Sequence, residues 1–93
     1  MGNLDSARRL YEEALAVCEK RMQSEPSAIV DLTRIQGWMA LCLASMPEAG
    51  RDAVEYAQRA AASFEKASRI SPDSVGELRR LVEEAQRVTD KIT

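Results

Sequence analysis

Residues 51–72 read RDAVEYAQRAAASFEKASRISP, and this stretch decides the fold. Ala53, Ala57, Ala60, Ala61 and Ala67, with Phe64 among them, recur at three- and four-residue steps, which puts them on one face of a helix. A face of small side chains lets a second helix axis approach closely. Pro72 closes the segment and suits the first turn of the helix that follows.

Working outward, Ser74-x-x-Glu77 resembles a capping box, in which serine and glutamate each satisfy the other's orphan backbone N–H. Val75, Leu78, Leu81, Val82, Ala85, Val88 and Ile92 then form an amphipathic stripe. Upstream, Met46 to Gly50 is a turn. Before it, Ile29, Leu32, Ile35 and Met39 make a stripe that Trp38, Leu41, Cys42 and Leu43 widen until the helix is apolar nearly all round. Such a helix belongs between two neighbours or against a bound partner. Gly37 in its interior costs about 1 kcal/mol relative to alanine, which points to a close backbone contact there. Pro26 separates this helix from the first one, because proline lacks the N–H and clashes with the preceding turn. The first helix carries Leu4, Ala7, Tyr11, Ala14, Cys18 and Met22 on one stripe, widened by Leu10, Leu15 and Val17, with Asn3 or Asp5 to cap its start. No strand pattern occurs. The expectation is a single all-α domain over residues 1–93, with four antiparallel helices at about 4–24, 27–45, 51–70 and 73–92.

The charges fit exposed helix faces. Arg8 with Glu12, Arg9 with Glu13, Glu55 with Arg59, Glu65 with Arg69, Arg79 with Glu83 and Glu83 with Arg87 are all spaced at i, i+4. The acidic doublets Glu12-Glu13 and Glu83-Glu84 are neutralised by basic residues one turn away, and adjacent side chains diverge by about 100° on a helix. They are read as surface, not as a catalytic pair.

Ala60-x-x-x-Phe64-x-x-Ala67-x-x-x-x-Pro72 resembles the second helix of a tetratricopeptide repeat, where small, aromatic, small and proline positions fall at that spacing. Ala7-x-x-x-Tyr11-x-x-Ala14 repeats the pattern, with Leu-Tyr-Glu-Glu-Ala set against Ser-Phe-Glu-Lys-Ala. Tyr11 and Phe64 lie 53 residues apart, longer than the usual period of about 34. The first helix is more similar to the elongated repeats of kinesin light chains and related bacterial proteins. Gln36 departs from that pattern, standing where the family prefers Gly or Ala. The resemblance implies tetratricopeptide-like helix hairpins closed by a C-terminal capping helix over 73–92, with the first helix as half of a repeat. It also implies that Val30, Thr33, Gly37, Ala40 and Leu41 face a concave groove that receives a peptide or helix of another protein. The alternative is that the fourth helix packs over this surface, leaving those residues in the core. Trp38 is either an interface anchor or core.

Composition narrows the function classes. The 93 residues are 45% hydrophobic and 30% charged, the balance of a globular chain. Thirteen basic residues against fifteen acidic ones leave a formal charge of -2, without the basic field that nucleic acid or an anionic membrane requires. With no histidine, Ser-His-Asp and Cys-His catalysis and His-ligated metals are excluded. No Gly-rich phosphate loop or metal-ligand cluster occurs, so no cofactor is expected and an enzyme is disfavoured. The N-terminus lacks the basic and apolar regions of a signal peptide, and no apolar run reaches the roughly 20 residues of a membrane span. Cys18 and Cys42 read as reduced, buried thiols in a cytoplasmic protein. The leading expectation is a non-catalytic interaction module or adaptor. The alternative is a self-associating bundle, a homodimer formed through the stripe Val75, Leu78, Val82, Ala85 and Ile92.

Overall fold

A computed structural model describes residues 3–92. The chain forms α1 (Asn3–Arg21), α2 (Ala28–Ala44), α3 (Gly50–Ile70) and α4 (Val75–Asp90), with 3-10 turns at Pro47–Ala49 and Pro72–Ser74. No strand occurs among the described residues. The fold is all-α.

Two local expectations are corrected. Helix α1 stops at Arg21, three residues short, because the backbone tightens there: Ser24 N donates to Arg21 O at 3.0 Å and Glu25 N to the same oxygen at 2.7 Å. A residue before proline avoids the helical region, so Glu25 leaves the helix ahead of Pro26. The capping box also does not form. Ser74 makes no side-chain cap bond; its Oγ lies 3.3 Å from Ser71 Oγ, while Glu77 Oε1 accepts from Arg34 Nε at 2.9 Å. A cross-helix guanidinium outcompetes a local N–H for that carboxylate. At the other end of the chain, Asp5 sits inside the first turn of α1, and the expected roles of Asn3 and Leu4 lie outside the described side chains.

Helix α2 is central and packs against each of the other three. Ile29 and Leu32 of α2 join Leu15 and Cys18 of α1, Ala67 of α3 and Leu78 of α4 in one cluster, bordered by Phe64. Met39 and Leu43 join Met46, Ala49 and Ala53 in a second, bordered by Tyr11. Residue numbers therefore fall along α1 and α3 as they rise along α2. Between α2 and α4 they rise together: Arg34 meets Glu77, Leu81 lies over Gly37, and Ala40 joins Ala85. Ala40, Ala57 and Ala85 form a third cluster in which the axes of α2, α3 and α4 come close. The Cα extents are 35 × 24 × 16 Å, and a thickness of 16 Å is about two helix layers at 8–10 Å spacing. Every helix thus keeps a face at the surface.

The buried polar side chains all find partners, the two threonines within their own helices and Gln36 across to α3. Thr33 Oγ1 donates to Ile29 O at 2.8 Å, Thr89 Oγ1 to Ala85 O at 2.9 Å, and Ser63 Oγ to Gln36 Oε1 at 2.8 Å. Gln36 accordingly serves as a polar tie between α2 and α3.

Candidate interaction site

The six residues expected at the groove are divided by the fold. Thr33 and Ala40 are fully buried, and Gly37 lies under α4, where a Cβ would stand 2.7 Å from Leu81 Cγ. Helix α4 therefore covers Gly37 and, with α3, Ala40, and Thr33 is closed off from solvent, so the surface that the resemblance assigned to a partner is largely interior. Val30 and Leu41 are half-buried and pack against core clusters. Trp38 alone of the six is exposed, at 43%.

Trp38 projects from the opposite flank of α2, toward α1. There it borders an open groove of about 390 Å³. Cys18 and Ile35 lie at its base, with Ala14 and Val17 on the α1 bank. Val17 is 57% exposed, and Leu10, two helical turns earlier on the same side of α1, is 64% exposed. Spacing explains the surplus. Tyr11, Leu15, Cys18 and Met22 suffice to seat α1 on the core, so Leu10 and Val17 have no neighbour left to meet. The signal was present in the sequence as a stripe on α1 wider than one partner helix covers.

One end of the groove is charged. Asp31 accepts from Arg34 Nη1 at 3.2 Å and lies 3.6 Å from Arg21 Nη1. Arg34 continues to Glu77 on α4, and Arg21 Nη2 donates to Glu25 at 3.0 Å. The chain Glu25–Arg21–Asp31–Arg34–Glu77 links α1, α2 and α4 across the surface. At the base, burial pushes the Cys18 thiol above its ordinary value, and the Asp31 carboxylate adds to the shift. A thiol so held stays protonated at neutral pH and is a poor nucleophile. Cys18 and Cys42 are both unpaired.

Elsewhere some of the expected i, i+4 pairs form and others are exchanged for a nearer partner. Glu12 meets Arg8 at 3.6 Å, and Arg87 pairs with Glu84 in place of the expected Glu83. Arg59 binds Glu55 and stacks on Tyr56 with its guanidinium carbon 5.2 Å from the ring centre. Among the described residues no group of three or more acidic or thiol side chains is placed to hold a metal ion, and no helix is long and apolar enough to cross a membrane.

No protein-family model, curated protein or solved structure matches the chain. What the groove can do follows from its own chemistry. It offers apolar area with an indole at the edge, a neutral thiol below, and a balanced set of charges at one end.

Proposed function

We propose that this chain is a non-catalytic protein–protein interaction module, a helical scaffold or adaptor that receives a helix of a partner protein in the α1/α2 groove. The observation that carries this reading is the exposure of Val17 and Trp38 on facing banks of one apolar channel. Singly scattered apolar residues need no explanation, whereas a contiguous set around a concavity marks a binding surface. Tryptophan is enriched among the residues that dominate interface energies, and an apolar channel between two helices suits the apolar face of a third. A tetratricopeptide-like build is part of the proposal. It is supported by the common direction of α2 and α4, and by Phe64 standing between the buried Ala60 and Ala67. The two unpaired thiols support a cytoplasmic setting.

Selection of helical peptides from a display library against the whole chain tests the reading. Selected sequences should carry apolar residues at i, i+3/i+4 and i+7. Trp38→Ala and Val17→Asp should abolish their binding while leaving the helical circular dichroism and thermal midpoint nearly unchanged. Peptides that bind wild type and both variants equally would overturn the assignment. The self-associating alternative loses its original surface, because Leu78, Val82 and Ala85 are buried within the chain. A wild-type dimer in sedimentation that Val17→Asp converts to monomer would make a second copy the occupant of the groove.

A further inference from the structure

We infer that α1 is a separable strap, able to lift from α2 while α2, α3 and α4 stay folded. The three later helices each pack on both of the others, whereas α1 packs principally on α2. Leu15 and Cys18 are the only buried residues among its described side chains, against nine in the shorter α2. Tyr11 and Met22 add half-buried contacts at the edges of the two large clusters, and its polar ties are ionic and partly exposed. Arg8 Nη2 donates to Asp52 of α3 at 3.2 Å, with the two side chains 35% and 45% exposed, and Arg21 meets Asp31 at 3.6 Å. Elements with few buried contacts and solvent-exposed ties occupy the low end of local stability and open without global unfolding. Lifting α1 takes Leu15 and Cys18 out of the cluster they share with Ile29 and Leu32, removes Tyr11 from the edge of the cluster around Met39, and takes away one wall of the α1/α2 groove. The strap is therefore a built-in conformational device: it creates the groove when down and exposes a different apolar surface when up. The inference needs no partner and stands whether or not the groove binds one.

Cys18 is a natural probe, since the residue is only 5% exposed and sits on the strap. Hydrogen exchange of the whole chain should be measured alongside labelling of Cys18 by a disulfide reagent in Cys42→Ser. The most protected α1 amides and the Cys18 thiol should open at least tenfold more often than the most protected α3 amides. Asp52→Asn, which removes the charge facing Arg8, should widen the gap, as should added salt through screening of the exposed pairs. Leu15→Ala should speed α1 opening and leave α3 unchanged. Equal opening of α1 and α3 in wild type, or an equal shift of both in Leu15→Ala, would show that α1 leaves only when the whole molecule unfolds.

Discussion

At the scale of single residues, Gly37 is where two effects oppose each other. Alanine there gains about 1 kcal/mol of helix propensity. Its methyl would, however, meet Leu81 Cγ at 2.7 Å and Cδ2 at 3.0 Å, and overpacking costs about 1–3 kcal/mol. Gly37→Ala should therefore lower stability by about 1 kcal/mol in urea unfolding. In a Leu81→Ala background the same change should become stabilising. A Gly37→Ala protein more stable than wild type would mean that Leu81 yields freely. Cys18 gives a second prediction, in pH. The folded thiol holds its proton more tightly than the ordinary value of 9.0 allows, so its contribution is fully present below that value. It is lost as pH rises through the folded one. Wild type should lose more stability than Cys18→Ala above pH 9, and parallel curves would refute it. Gly37 was legible as a close approach because glycine inside a helix needs a reason. The partner at that approach was not legible, since nothing local distinguishes a ligand's leucine from Leu81.

At the scale of elements, periodicity and proline placed four helices within a few residues of their ends, because burial of a 3.6-residue stripe dominates local energetics. What failed was the assignment of short-range polar partners. Ser74-x-x-Glu77 has the capping spacing, yet Glu77 belongs to Arg34 on another helix. The side of α2 that stays open was also hidden, since it depends on which flank α4 takes. The small residues Thr33, Gly37 and Ala40 suit a groove and a tight helix contact equally; all three are buried, with α4 over Gly37 and beside Ala40. Arg34 joins Asp31 and Glu77 while 24% exposed. Exposed pairs contribute about 0–1 kcal/mol, so Arg34→Ala should cost no more than about 1 kcal/mol. That cost should shrink in 0.5 M salt, as urea midpoints at two salt concentrations will read. A larger, salt-independent loss would instead point to packing by the arginine stem.

At the scale of the whole molecule, the distribution of side-chain size along the bundle sets how its parts communicate. Bulky groups occupy both ends, Ile29, Leu32 and Leu78 at one and Met39, Leu43 and Met46 at the other. Along α3, between its contacts with those two groups, Ala57 meets Ala40 and Ala85. Three helices thus share one pivot of methyl groups, a waist in side-chain size between the two bulkier clusters, with Leu41 and Tyr56 at its border. A leucine at Ala57 or Ala85 adds volume where interiors already pack at crystal-like density. Each should cost about 1–3 kcal/mol, and the pair should cost less than the sum of the singles, because the first wedge already parts the waist for the second. Additive losses in a double-mutant cycle would deny the shared pivot. Widening the throat should also be felt far away, loosening both ends at once as prising the rivet of a pair of scissors frees the blades and the handles together.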